Sequence, residues 1–147
     1  MQHKESHFDM LAHPIQRWIW QQGWTSLNEI QEKAIPIILK GDTDVIISAA
    51  TAGGKTEAAF LPILSSVIND SNKGCKVLYI SPLKALINDQ YRRLSDLTAV
   101  TKTSITPWHQ DVSISKKLFK NYSIILLSIN LQHASCTIAS AVSALNS

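Results

Sequence analysis

"ISAATAGGKTEAAF", residues 47–60, is the stretch whose reading decides the fold. A β-branched apolar run, "DVIIS" at 44–48, leads into a short loop holding Gly53 and Gly54. Lys55 and Thr56 then open "TEAAFLPILSSVI", a segment patterned as a helix from 55 to 68. A buried strand that feeds a glycine turn and then a helix aims backbone N–H groups, and the positive end of the helix dipole, at one point. That point favours an anion. The general phosphate-binding pattern is G-x-x-x-x-G-K-[ST], and "AATAGGKT" meets it except that Ala49 replaces the first glycine. In that pattern the Lys55 ammonium reaches the β- and γ-phosphates of a nucleoside triphosphate and the Thr56 hydroxyl ligates Mg²⁺. The plainer reading is a glycine turn with an incidental lysine, which leaves the strand, loop and helix together unexplained.

Upstream, "PIQRWIWQQG" at 14–23 reads as a short helix, with Pro14 at a first-turn position and Gly23 past the end. "SLNEIQEKAIPIILKG" follows. Ser26 and Glu29 form a capping-box spacing, and Pro36 predicts a bend or restart near Ile35. Downstream of the loop, "SNKG" at 71–74 is a turn, "KVLYI" at 76–80 a buried strand, and "LKALINDQYRRL" an amphipathic helix. Further strands are expected near 104–106 and over "SIILLSI", with a short basic helix at 115–120 between them. Strands alternating with helices predict an α/β fold, a parallel doubly wound sheet with flanking helices.

Composition narrows the class without naming it. The chain has 147 residues, 45% hydrophobic and 17% charged, which excludes a disordered chain and allows one domain's core. A net charge of +3 permits nucleic-acid contact but does not argue for it. Cys75 and Cys136 have no metal-ligand spacing, the N-terminus lacks a signal-peptide core, and no run suits a membrane span. A reduced, cytoplasmic protein is the expectation.

The motifs now carry a resemblance. "GW…L..IQ..AIP.IL.G" from Gly23, followed by "DVI..A.T..GKT" from Asp44, resembles the start of the first RecA-like domain of superfamily 2 helicases. That is the DEAD/DEAH-box group, and the match is of the long-helicase-related DExH type. The resemblance implies a P-loop NTPase fold, ATP and Mg²⁺ as cofactors, and Gln31 as the residue that reads adenine. A glutamine amide donates and accepts at once, as that edge demands. It further implies phosphate-loop roles for Thr51, Ala52, Gly53, Gly54, Lys55 and Thr56, with Thr56 on the metal. The family's loop is usually A-x-T-G-S-G-K-T; Ala52 and Gly53 stand here where glycine and serine are common.

"YISPLKALINDQYRRL" at 79–94 resembles the next family motif, a strand, a Ser-Pro turn and a helix N-terminus on which single-stranded DNA or RNA lies. Backbone amides at such a helix start suit a phosphodiester, which makes Pro82, Leu83 and Lys84 the expected contacts. Arg92 and Arg93 read as a solvated face. "WHQDVS" at 108–113 is similar to a Trp-His-Gly-Asp stretch of such helicases; Trp108 is either a base-stacking platform or a half-buried tryptophan. His109 and Asp111 lack a third ligand for a metal.

The resemblance stops near residue 120. "LSINLQHASC" stands where the family has a Thr-Pro-Glu-like segment, and residues 121–147 contain no Asp, Glu, Lys or Arg. These residues are therefore expected to lack the acidic motif that holds Mg²⁺ and positions water, and the second RecA-like domain with its arginine finger. The expectation is a partial helicase ATP-binding domain at 1–120 and a divergent or truncated tail at 121–147, from a truncated or frame-disrupted gene. ATP hydrolysis and unwinding would then need a partner supplying the missing parts. The other readings are a non-catalytic nucleotide- or nucleic-acid-binding regulatory module, a non-functional remnant, and an unrelated small P-loop kinase. For the tail itself, a C-terminal helix over "LQHASCTIASAVSAL" and a membrane anchor are the alternatives.

Overall fold

A computed structural model describes residues 6–50, 52–68, 70, 75–108 and 123–128. The chain divides into two compact units, 1–70 and 71–147.

The first unit is helical. A 3-10 turn at His7–Met10 precedes α1 (His13–Gln21), α2 (Glu29–Lys40) and α3 (Lys55–Val67). The apolar spacing decides what each helix buries. Ile15, Trp18 and Ile19 form one stripe of α1, Ala34 and Ile35 one of α2, and Ala58, Leu61 and Leu64 one of α3. The isoleucine and leucine side chains among these each contribute about 1.5–3 kcal/mol when fully withdrawn from water. The start of α1 is tied to α3 by a bond from the Ala12 N–H to Ser65 Oγ, 3.0 Å.

Three expectations change here. The capping box of α2 is Asn28 with Gln31, not Ser26 with Glu29. Both pairs have the required spacing, but a start at Ser26 would place Asn28 inside the first turn, where its amide competes with the backbone. No restart occurs at Pro36; α2 runs through it to Lys40 and ends on Gly41 in the left-handed region, φ 68°. Most consequentially, 44–48 is not a hydrogen-bonded strand. Its exposure still alternates as a strand's does: Val45, Ile47 and Ala49 are half-buried, Ile46, Ser48 and Ala50 exposed, and Ile46 is 96% exposed. β-branched residues favour an extended backbone, but a strand needs a neighbour, and the described residues of this unit include no other strand.

The second unit supplies the sheet. β1 (Cys75–Ser81), α4 (Lys84–Thr101), β2 (Ser104–Trp108) and β3 (Ser123–Ser128) form a three-stranded parallel sheet, order β1-β3-β2. Tyr79 and Pro107 both align with Leu126, and Val77 and Ile105 with Ile124. Ile124 and Leu126 share the fully buried face, as the period of two requires. α4 packs on the sheet and buries Ile87, Leu94 and Leu97 along one stripe, extending past the expected end at 94 to Thr101. On the other face Leu78 and Ile80 are 38% and 47% exposed. The α/β class and parallel pairing hold, while the sheet described does not include the strand expected before the loop. The helix at 115–120 and the tail at 129–147 lie outside the described residues.

Candidate functional site

The loop of the first unit ends directly on α3. Gly54, φ 76°, is the residue before the helix, and Lys55 and Thr56 are its first two positions. No side chain caps this end, so its first N–H groups open onto the loop. The loop is tight. A Cβ on Gly53 would lie 2.9 Å from the Ala50 carbonyl oxygen, and one on Gly54 would lie 2.5 Å from Asn28 Nδ2 and 3.1 Å from Gln31 Nε2. Ala52 holds φ 62°, a left-handed conformation that costs a residue with a Cβ about 1 kcal/mol or more. The glycine common at that position in the family motif has a physical reason. Thr51 lies outside the described residues.

Lys55 turns inward. Its Nζ donates to the Ala49 carbonyl at 2.6 Å and to the Ala50 carbonyl at 2.8 Å. The ammonium thus occupies the mouth of its own loop, a place where an incoming phosphate would compete for it. Thr56 is half-buried at the same helix end.

Gln31 is 3% exposed, and its amide is not loose. Its Oε1 accepts from the Asn28 N–H at 3.0 Å, while Asn28 Oδ1 accepts from the Gln31 N–H at 3.0 Å. The Nδ2 of Asn28 and the Nε2 of Gln31 both lie against Gly54. A cavity of about 550 Å³ opens beside them, lined by Asn28, Lys33, Ser48, Ala49, Ala52 and Gly53 among others. The structure places Gln31, named from the sequence, beside the loop's Gly54; Asn28, which lies there too, was not named, and the overlapping second capping pattern was the available signal.

Next along α2, Glu32 clasps the chain's start. Its carboxylate accepts from the Ser6 hydroxyl at 2.7 Å and the His7 N–H at 2.9 Å, and pairs with His7 Nδ1 at 3.0 Å. Burial pushes this carboxyl up, but the bonds from His7 and Ser6 outweigh it and hold the group below the ordinary glutamate value.

The expected contacts of the second unit sit at the carboxyl ends of its strands. Pro82, Leu83 and Lys84 are exposed, Leu83 by 58%, and α4 starts at Lys84 without a side-chain cap. Ser81, just before them, is 1% exposed, and its hydroxyl has no hydrogen-bond partner among the described residues. Trp108 ends β2 and is half-buried. In register it aligns with Leu127, while Ser81 aligns with Ser128, so the Ser-Pro turn and Trp108 flank the end of the central strand. In open parallel sheets ligands bind at such ends. Arg92 and Arg93 are exposed on α4. Among the described residues no group of His, Cys, Asp or Glu is arranged to hold a metal, and no helix is long and apolar enough to cross a membrane. His109 and Asp111 lie outside them.

Comparison with known proteins adds four findings. A family model described as DEAD/DEAH box helicase matches residues 28–138. The chain is 42% identical over 85 residues to the ATP-dependent helicase Lhr-Core of Sulfolobus acidocaldarius, covering 54% of this chain and 10% of the relative. It is 35% identical over 130 residues to the DEAD-box ATP-dependent RNA helicase RhpA of Helicobacter pylori, covering 86% and 26%. Among solved structures, the DUF1998 helicase MrfA superposes with a TM-score of 0.68 at 27% identity, over 85% of this chain and 20% of that one. The chain therefore spans between about a tenth and a quarter of the length of these relatives.

Proposed function

The chain belongs to the DEAD/DEAH box helicase family, and on that premise we propose that it is the ATP- and nucleic-acid-binding part of a first RecA-like domain, spanning 1–120. The observation that carries the reading is the Lys55 ammonium held in the mouth of a loop that ends on the open N-terminus of α3. The residues present fit Mg·ATP. Backbone N–H groups from Ala52 to Thr56, with Thr51, would cradle the phosphates. Lys55 would exchange its two carbonyl partners for phosphate oxygens. The Thr56 hydroxyl would ligate Mg²⁺, which neutralises phosphate charge when bound. Gln31 would read adenine, its Nε2 donating while the second lone pair of Oε1 accepts. In the second unit, Pro82, Leu83 and Lys84 with the α4 N-terminus would take a single-stranded DNA or RNA segment, and Trp108 would stack on a base.

A second reading has its own observation. The sequence holds no Asp or Glu after Asp111, and phosphoryl transfer to water needs a positioned water and stabilised charge. We propose, as this second reading, that residues 1–147 taken alone bind ATP as a non-catalytic nucleotide-binding module, because residues 112–147 offer no carboxylate to position metal or water. A cytoplasmic location accords with both readings.

A thermal melt of the chain with Mg·ATP tests nucleotide binding. Ligand at about a hundred times its dissociation constant adds about 2.7 kcal/mol, which raises Tm by roughly 8 °C at this size. In Lys55→Ala the shift disappears while the melt without ligand persists. A wild-type melt that ignores Mg·ATP would sink the reading. ATP turnover by this chain alone would overturn the non-catalytic one.

A further inference from the structure

We infer that Trp20 and Arg17 form a further contact for single-stranded nucleic acid on the outer face of α1, Trp20 stacking on a base and Arg17 taking the adjoining phosphate. The inference goes beyond the Ser-Pro turn and stands on residues of the first unit alone. Helical spacing puts His13, Arg17 and Trp20 on one face of α1, opposite the buried Ile15, Trp18 and Ile19. Trp20 is 71% exposed. A single exposed apolar side chain is common and means little by itself. Trp20 differs because it is held. Its ring lies parallel to that of Phe8, with 3° between the planes and 6.0 Å between the centroids. Phe8 is itself fixed on both sides. Gln16 Nε2 donates to the Phe8 carbonyl at 3.2 Å and to the Leu11 carbonyl at 2.8 Å, while the Phe8 N–H donates to Ser6 Oγ at 3.3 Å. Glu32 then clasps Ser6 and His7. The platform is ordered before any ligand arrives, so binding to it loses little entropy.

The parallel rings select the ligand. A cage for an ammonium group sets aromatic faces around the cation, and two parallel rings leave no such hollow. An offset pair instead presents flat ring face, on which another flat ring continues the stack. A base of any identity does so, because every base has a π-face. Arg17 supplies the charge that a nucleotide brings a need for. It is exposed, and no ion pair holds it among the described residues. Residues three apart on a helix are neighbours, so its guanidinium reaches the phosphate of the nucleotide whose base lies on Trp20. α1 has no Asp or Glu to oppose this. Asp9, the one carboxylate within residues 7–21, belongs to the 3-10 turn, which leaves α1 as the side for phosphate.

The test measures dissociation constants of labelled oligothymidylate and oligouridylate for the full chain, by fluorescence anisotropy over a range of salt. Trp20→Ala is expected to weaken both by about tenfold, the scale of one lost base stack. Trp20→Tyr keeps a π-face and stays within about threefold of the wild type, a rescue that loss of packing alone does not give. Arg17→Ala removes one phosphate contact and lowers the slope of log affinity against log salt by about 0.7. Its side chain is exposed and unbonded among the described residues, so this variant decides the matter should Trp20→Ala fail to fold. Lys84→Ala separates this contact from the Ser-Pro turn. Losses in Trp20→Ala and Arg17→Ala with none in Lys84→Ala support the inference and remove the turn from the interface. Wild-type affinity and salt slope in both Trp20→Ala and Arg17→Ala, with a loss in Lys84→Ala, overturn the inference alone and leave the platform to an aromatic side chain of a protein partner. A wild type that binds neither oligonucleotide overturns this inference and the reading of the turn together.

Discussion

The loop of the first unit and the Ser-Pro turn of the second are both helix starts suited to phosphate, yet they are built in opposite ways. The loop satisfies itself. Lys55 donates to Ala49 and Ala50, Gln31 and Asn28 close on each other, and both amides crowd Gly54. The turn leaves its surface to solvent, with Pro82, Leu83 and Lys84 exposed and no side chain capping α4. A self-satisfied site must exchange existing bonds for a ligand's, so it binds only what repays them, and geometry becomes selectivity. An open helix end gives up little on binding and accepts any phosphodiester that reaches it. The difference accords with one site for a defined small molecule and another for a chain of varied sequence.

The largest effect is expected where the loop is tightest. In Gly54→Ala the new methyl meets Asn28 Nδ2 at 2.5 Å, and the residue must keep φ near 76°. The left-handed conformation costs about 1–2 kcal/mol. Displacing Asn28 from its cap costs about 1 kcal/mol more. Tm should fall by roughly 6 °C or more, and the Mg·ATP-dependent shift should shrink with it. A variant that melts as the wild type does would show that the amides do not bear on Gly54, and the contrast between closed loop and open turn would fail.

How legible all this was in the sequence follows from how local each feature is. The start of α3 at Lys55, the strand at 75–81 and the amphipathic α4 rest on short-range pattern, and each was readable. The strand at 44–48 was not, because pattern fixes its extended backbone while pairing depends on a neighbour from elsewhere in the chain. The capping residue was ambiguous because "SLNEIQ" satisfies the box twice; the cost of an Asn28 amide inside a first turn begun at Ser26, together with the loop that brings Gly54 against Asn28, distinguishes the two. The inward turn of Lys55 was invisible for the same reason. Its partners are carbonyls five and six residues back, reachable only once the loop has closed.

A middle-sized effect belongs to the turn. Lys84 is exposed at the first position of α4, where a cation opposes the helix dipole. Lys84→Ala should therefore melt within about 0.5 kcal/mol of wild type. Its effect should appear in single-strand binding, where one fewer phosphate contact lowers the slope of log affinity against log salt by about 0.7. The loss should be similar for sequences of different composition, as expected for contacts to backbone alone. An unchanged salt slope would remove the turn from the nucleic-acid interface and leave its exposure without a role.

The smallest effect is the one whose sign is most informative. Ala52 stands at φ 62° where related loops commonly carry glycine. Ala52→Gly relieves about 1–2 kcal/mol of left-handed strain but frees the unfolded chain by about 0.4–1 kcal/mol. The two nearly cancel, leaving a net gain of about 0.5 kcal/mol and a rise in Tm of roughly 1–2 °C. Nothing else changes, because Ala52 is exposed and its methyl adds little packing. A fall in Tm would mean that the left-handed turn is not what Ala52 adopts before ligand binds, and the loop would then be closed by something other than its own backbone. A rise would place the strain in the resting loop, where binding has the opportunity to release it; Mg·ATP should then stabilise Ala52→Gly slightly less than it stabilises the wild type.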